Sequence, residues 1–492
     1  MVAAGLGLAL RLFFILHFPS DAGDTRIYEE LARNWRGHGV YGLFIEGHLT
    51  PVDIRAPGYP AFLAAVYGVF GQFRPAVMIC QALLDLLTCF LAATLASRLA
   101  PPTSRERVST VALWLAALCP FTANYTAVIL TEALTTFLTT LALLIFVYAA
   151  EGQEKFRVRI GKHSFTIGLW FAGGLVVGIG TLVRPETPLL LAAVGIVLCA
   201  GWRKPADWPK LFRAGLWMAG GLMLVILPWG VRNWTSLHRV QFLAPRYAEL
   251  PGEYVPRGFL KWTKTWLVRF RDVYLVVWKL EDEPIHVSDM PASAFDSEQE
   301  RERVGVMLAR YNEQLYVPPE LDDEFARLAR ERTQRHPVRT YLWIPLSRAG
   351  TIWFTPRVEL LPYSGHLRPI SQQWDEDPED FLVTTGLGIL NCFFVGLVII
   401  GAWRWHTCRG VWLLASYLLV RTAFLTQIEA PEPRYVMVCY PALLSLAALS
   451  WIRSTKLTEQ QQKSVGPAFG GEASGDREAA LGDRFNLSGN TR

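Results

Sequence analysis

Paired cysteines are missing from this sequence. Of its seven cysteines, Cys80, Cys89, Cys119, Cys199, Cys392 and Cys439 lie inside apolar runs, and Cys408 sits in a short basic turn. No two stand at metal-ligand spacing and the long polar middle holds none, which excludes a zinc site of the CxxC kind and a disulfide staple. Charge is scarce as well. Only 18% of the 492 residues are charged while 51% are apolar, far from the composition of an ordinary soluble enzyme. There is no glycine-rich phosphate loop or Rossmann fingerprint in a strand-to-helix setting, so no nucleotide site is expected. No internal repeat is evident, which argues against a solenoid. The net charge of +5 is small for this length, and no nucleic-acid partner is expected.

Long apolar runs are present in number. A spanning helix needs about 20 apolar residues, and on that rule ten spans can be read: Val2 to Phe18, Pro75 to Ala96, Val108 to Tyr125, Thr131 to Ala150, Phe165 to Val183, Thr187 to Trp202, Ala214 to Val231, Phe381 to Trp403, Val411 to Thr426 and Tyr435 to Ile452. The first reads as a span and not as a cleaved signal peptide, because Arg11 interrupts it and no A-x-A site follows. The 18 Trp and 27 Phe suit aromatic belts at both interfaces. Pro57 to Gly71 is too short to span and fits an interfacial helix. With that stretch lying flat, Arg98, Arg105 and Arg107, Lys155 to Lys162, Arg203 to Arg213, Arg404, Arg409 and Arg453 to Lys463 all fall on one side. By the positive-inside rule that side is the cytoplasm.

The expectation is therefore an all-α polytopic membrane protein of about ten transmembrane helices, with interfacial helices in the first outer loop and a long extracytoplasmic loop. Its parts are an N-terminal transmembrane module over residues 1–231 carrying the first outer loop at 19–74, an extracytoplasmic region over 232–380, C-terminal helices over 381–453, and a disordered cytoplasmic tail over 454–492, rich in Gln, Gly, Ser and charge. Within the outer region, Ala292 to Tyr311 and Pro319 to Arg335 read as solvated helices, and Tyr341 to Phe354 as an amphipathic helix lying on the membrane surface.

The polar residues gather on the outer face. Asp24 stands at the start of a helix read over Thr25 to Arg36, near the positive end of its dipole; the plainer reading is an N-cap. In Asp53-Ile54-Arg55-Ala56-Pro57-Gly58-Tyr59-Pro60 a stiffened chain precedes the flat helix, and Arg55 can offer a planar fork of donors to a phosphate. The alternative is an arginine that snorkels to lipid headgroups. Glu132, then Arg184 with Glu186, then Trp229 with Arg232 and Asn233, then Glu429, Glu432, Arg434 and Tyr435 lie at outer ends of spans. Any one passes as an interfacial end cap; five clusters mixing acids and arginines are harder to dismiss. His48 with Glu46 or Glu132 offers ligands suited to a divalent metal, but no spacing motif supports one.

This arrangement resembles the GT-C glycosyltransferases, membrane enzymes that take a sugar from a polyprenyl-phosphate carrier. The branch it is most similar to is that of the protein O-mannosyltransferases, the aminoarabinose transferase that modifies lipid A, and their bacterial relatives. The resemblance covers most of Met1 to Ile452 and rests on the order of GDTRIYEELA, RAPGYPAFLAAVYGVFG, LTEAL, GLVVGIGTLVRPE, PWGVRN, HPVRTYLWIPLSRAGTIWFTPR and PRYVMVCYPALL. It implies that Asp24 is the catalytic acidic residue of the first outer loop and that Arg55 holds the carrier phosphate. Tyr59, Glu132, Arg184, Glu186, Arg232, Arg434 and Tyr435 would then contact substrate. The chain has Arg-Ala-Pro where the aminoarabinose transferase pattern is Lys-Pro-Pro, and it lacks the Asp-Glu pair of the protein mannosyltransferases. Those departures leave open the donor sugar and whether the acceptor is protein, glycan or lipid. The expected location is the bacterial inner membrane, with the site facing away from the cytoplasm. The rival reading is a transporter or lipid flippase of the cell envelope, which would place charge near mid-membrane in two related halves.

Overall fold

The structure, a computed structural model, describes residues 1–452 apart from 154, 161–162, 202–203, 246, 248–249, 251–252 and 368. The tail expected over 454–492 lies outside the described residues. The described chain is mostly helical, with two short hairpins.

The first helix, α1 (Val2–His17), ends at the outer loop, where α2 (Gly23–His38) starts slightly earlier and ends later than expected. A hairpin follows, β1 (Gly42–Ile45) against β2 (His48–Pro51). Its two turn residues, Glu46 and Gly47, both have positive φ, the backbone that a tight two-residue hairpin requires. Helix α3 (Gly58–Phe70) has 13 residues, about 20 Å of rise, too short to cross a bilayer. It packs hard against the body. A Cβ on Gly58 would stand 2.6 Å from the carbonyl oxygen of Leu182, so only glycine lets the Arg55 loop approach so closely.

Among the described residues each of the ten expected spans contains helix, but five helices are long and apolar enough to cross a membrane by length and composition: Arg74–Leu99 (α4), Glu132–Ala150 (α7), Pro205–Leu237, Pro378–Arg404 and Pro433–Trp451. A sixth is a broken pair, α5 (Arg105–Ala117) and α6 (Pro120–Asn124), bent at Cys119-Pro120 where proline cannot continue the ladder. Three more are shorter apolar helices, α1, α8 (Leu169–Val183) and α9 (Leu189–Gly201), and the expected span over Val411–Thr426 lies in a 17-residue helix, Arg409–Leu425, that belongs to neither group. The start of the expected fifth span is instead the second strand of a hairpin, β3 (Lys155–Ile160) with β4 (His163–Gly168). Helix α10 (Trp208–Leu237) runs past Val231 to Leu237, so Arg232 and Asn233 are helical.

The region over 232–380, expected to face outward, is folded around its own core. Helices α11 (Arg257–Lys264), α12 (Phe270–Val276), α13 (Glu298–Gln314) and α14 (Pro319–Arg335) enclose Phe259, Trp262, Leu308, Tyr311, Leu321 and Phe325. Helix α13 begins six residues after the expected start because Ser297 caps it, accepting from the Glu300 N–H at 3.2 Å. A π-turn over Arg339–Trp343 leads into α15 (Ile344–Trp353), and Tyr341, Leu342, Trp343 and Leu346 are exposed along this stretch. Then come α16 (Ile370–Glu376), α17 (Pro378–Arg404), α18 (Arg409–Leu425) and α19 (Tyr440–Ala448), the last preceded by a 3₁₀ turn over Pro433–Cys439.

Buried arginines fasten these parts together. Arg11, fully buried, donates to Asp85 at 2.6 and 2.9 Å and to the carbonyls of Gly7 and Ala117, so the charge that interrupts α1 is what ties it to α4 and α5. Arg348 donates to the carbonyls of Leu267, Thr426 and Ile428, joining the outer region to the loop before Pro433. Helix ends then sort into two levels. The end of α8 meets the start of α7 through Arg184 and Glu132. On the other level Arg98 pairs with Glu151, and Arg404 donates to the Ser450 carbonyl.

Single-cysteine variants test the two levels. Glu46→Cys and Glu302→Cys in intact cells should react with an impermeant thiol reagent, and Lys155→Cys and Lys210→Cys should not, measured against the unmodified chain. Labelling at 155 or 210 from outside would contradict the assignment of faces.

Candidate functional site

The site is built where six separate stretches meet. The start of α2 is held by Thr25, whose hydroxyl accepts from the Ala22 N–H at 3.3 Å and donates to the Ile129 carbonyl at 3.1 Å. Ala22 is the N-cap, so Asp24 is not one. Its carboxylate, in the first helical turn, turns instead to two arginines. Arg55 Nη2 meets Oδ1 at 2.7 Å, and Arg434 Nη2 meets Oδ2 at 3.2 Å. Arg55 is itself placed by Tyr41, whose hydroxyl donates to the Arg55 carbonyl at 2.9 Å.

Arg434 continues the network. Its Nε stands 2.5 Å from Glu432 Oε2, and Tyr435 donates to Glu432 Oε1 at 2.6 Å. The Tyr435 ring carries two cations, the Arg184 guanidinium at 5.0 Å and that of Arg434 at 5.3 Å, contacts that strengthen when water is excluded. Arg184 lies 3.4 Å from Glu132 and 3.3 Å from Glu186, and Arg421 reaches Glu186 at 3.2 Å. Four carboxylates and four guanidiniums thus form one charge-balanced array.

The array has a wet end and a dry end. Side-chain exposure is 26% for Asp24, 21% for Arg55 and 19% for Arg434, but 2% for both Glu132 and Arg421. The exposed end is the one that holds Asp24. Burial alone would raise the Asp24 carboxyl, but Arg55 and Arg434 outweigh it and hold it below the usual carboxylate range. Glu186 is likewise depressed, burial being outweighed by Arg184 and Arg421. Glu432 moves the other way: burial raises it despite Arg434 and the Tyr435 hydroxyl. The two acids that share Arg434 are therefore pushed apart, one firmly ionised and the other closer to neutral, the pattern that distinguishes acid and base roles.

Two expected residues support the site from behind. Arg232 donates to the carbonyls of Val52 and Tyr41 and lies 4.9 Å from the Trp229 ring. It braces the hairpin that carries Tyr41, and its donors are directed at backbone and not at the Asp24 opening. Tyr59, fully buried, donates to Gln81 at 2.7 Å, anchoring α3 to α4. Glu46 and His48 sit exposed at the hairpin tip while Glu132 is buried. Among the described residues no group of three His, Cys, Asp or Glu side chains is placed to hold a metal ion. Arg421 was not expected, though an arginine inside the apolar run of α18 is itself a signal of function.

No protein-family model matches the chain, and no curated protein matches it. Among solved structures, the Archaeoglobus fulgidus oligosaccharyltransferase in complex with Zn and sulfate is similar at 12% identity and a TM-score of 0.45, covering 91% of this chain and 48% of that one. The archaeal oligosaccharyltransferase AglB from Archaeoglobus fulgidus, in complex with an inhibitory peptide and a dolichol-phosphate, gives 12% and 0.44 with 91% and 49% covered. This chain spans about half the length of both. At that identity and TM-score the likeness assigns neither a family nor an activity.

The clamp on Asp24 has a measurable consequence. Replacing Arg434 by Gln removes one of the two cations that depress the carboxyl, so Asp24 should titrate higher. Its modification by a water-soluble carbodiimide, which attacks the protonated acid, should rise several-fold at pH 5 in Arg434→Gln, as read by mass spectrometry of the Asp24 peptide. Equal modification in the two proteins would show that Arg434 does not act on Asp24.

Proposed function

We propose that the chain is a membrane glycosyltransferase that moves a sugar from a polyprenyl-phosphate carrier to an acceptor hydroxyl, with inversion, on the extracytoplasmic face of the bacterial inner membrane. The observation that carries this reading is the Asp24 carboxylate seated between Arg55 and Arg434 at the open end of a charge array set at the ends of apolar helices. A polyprenyl phosphate arrives with its chain in the bilayer and its anion at that level. Arginine forks suit a phosphate, and the site needs no nucleotide pocket.

In the proposed reaction the phosphate docks on Arg55 and Arg434 and takes over hydrogen bonds that the two arginines now give Asp24. The carboxylate loses part of the field that depresses it and becomes a stronger base. The acceptor oxygen attacks the anomeric carbon as the carbon–oxygen bond to phosphate breaks. The acceptor proton passes to Asp24, and the electron pair leaves with the phosphate, whose growing charge is met by the two guanidiniums. Glu132, Arg184, Glu186 and Arg421 hold the dry end of the array in place, and Tyr435 links it to Arg434. Acceptor choice falls to the outer region, the one large folded part beside the opening.

Asp24→Asn tests the base. The amide keeps the shape and its oxygen can still accept from one of the two arginines, but its NH2 cannot accept and it cannot take the proton. With carrier-linked sugar supplied to purified protein in nanodiscs, turnover should fall about a hundredfold or more, while carrier binding and the melting temperature stay near those of the parent. Near-normal turnover by the folded variant would remove Asp24 from the chemistry.

A further inference from the structure

A fifth acid stands beside this array, and nothing above assigns it a role. Glu359 lies in the loop between α15 and α16, two residues after Arg357, a non-glycine residue with φ of +63°. That left-handed backbone is costly for arginine, and the Arg357 side chain holds it in place. Its guanidinium donates to the carbonyls of Pro433 at 3.1 Å and Ile352 at 2.9 Å and stacks 5.0 Å from the Tyr440 ring. The loop is thereby pinned to the turn that carries Glu432, Arg434 and Tyr435.

Glu359 Oε1 is buried and has no hydrogen-bond partner among the described residues. Glu132 behaves alike: it is 2% exposed, and both its carboxylate oxygens lack a hydrogen bond although Arg184 pairs with it at 3.4 Å. These two acids share a neighbour. The buried phenol of Tyr125 feels the charges of Glu359, Glu132 and Arg434 together, and the half-exposed Tyr274 of α12 feels Glu432, Glu359 and Arg434. Unpartnered acceptors therefore lie within electrostatic reach of Tyr125 and of the Arg434 clamp, and Tyr274 is within reach of Glu359 and Arg434.

We propose that Glu359 is a specificity-determining contact for the sugar of the donor, hydrogen-bonding its hydroxyls beside the phosphate clamp. This rests on the carrier reading above. The clamp fixes where the phosphate sits, and the sugar is bonded directly to that phosphate, so the groups next to Arg434 meet the sugar ring. A carboxyl repels a phosphate and suits a neutral polyol. Burial, with the charge of Glu432 added and that of Arg357 opposing, raises the Glu359 carboxyl above its ordinary range. A buried polar site of this kind discriminates strongly, because a ligand lacking the matching hydroxyl leaves its groups unpaired.

Binding separates this claim from the reading beneath it. The full chain in nanodiscs is titrated with bare undecaprenyl phosphate and with undecaprenyl phosphate linked to glucose and to mannose, for the parent, Glu359→Ala, Glu359→Gln and Arg55→Ala. The parent should bind at least one sugar-linked carrier about tenfold more tightly than the bare one, a typical value for one or two well-placed hydrogen bonds. Glu359→Ala should abolish that increment and leave bare-carrier affinity unchanged, and Glu359→Gln, the safer variant for folding, should keep only part of it. Melting temperatures certify each protein. An increment that survives both Glu359 variants, or one absent from the parent for both sugars, would overturn the sugar contact. Bare-carrier affinity that is equal in the parent and Arg55→Ala would instead overturn the phosphate clamp.

Discussion

Charge placed among apolar helices must find its counter-charge within the protein. An ionised group taken from water pays a desolvation penalty of several kcal/mol, repaid only by close partners and hydrogen bonds. The array from Arg55 to Arg421 meets that requirement with four acids and four arginines drawn from the start of α2, the loop before α3, the start of α7, the turn after α8, the end of α18 and the turn before α19. Asp24, Glu132 and Glu186 each pair with an arginine from a different part of the sequence, and Glu432 with its neighbour Arg434. The helices can vary in length, bend or end early, but their polar ends have to meet.

That constraint accounts for the pins outside the array. Arg348 fixes the Thr426–Ile428 carbonyls and Arg357 the Pro433 carbonyl, so the segment bearing Glu432, Arg434 and Tyr435 is held from both sides. Close helix contact does the rest. A Cβ on Gly174 would stand 2.2 Å from the Met218 oxygen, and small residues of this kind let α8 and α10 approach where no hydrophobic force separates helix from lipid. The array is buried at its dry end and partly exposed at its wet end, where in the proposed reaction an incoming anion competes for arginines that Asp24 now occupies.

Much of this was legible in the residues. The ten apolar runs, the short α3 and the helix over Pro319–Arg335 follow from run length and charge pattern, and Asp24, Arg55, Arg434, Tyr435, Arg184, Glu186 and Glu132 converge as their places at helix ends suggested. Lengths were less legible: the fifth run loses its start to the β3–β4 hairpin, since a strand and the start of an apolar helix look alike over a few residues. Asp24 looked like an N-cap because local spacing cannot reveal that Thr25 already closes the helix start. Arg232 looked like a substrate contact because its sequence does not show that the Tyr41 and Val52 carbonyls take its donors. Glu359 and Arg421 carried no local motif, and their place in or beside the array arises only from tertiary packing.

The account stands on Asp24 being held by arginines that also serve an incoming phosphate. An experimental structure of the full chain in a nanodisc with undecaprenyl phosphate tests this most directly. The account predicts the phosphate within hydrogen-bond reach of Arg55 and Arg434, with the Asp24 carboxylate drawn away from at least one of them. A phosphate bound elsewhere, with both Asp24 contacts intact, would contradict it.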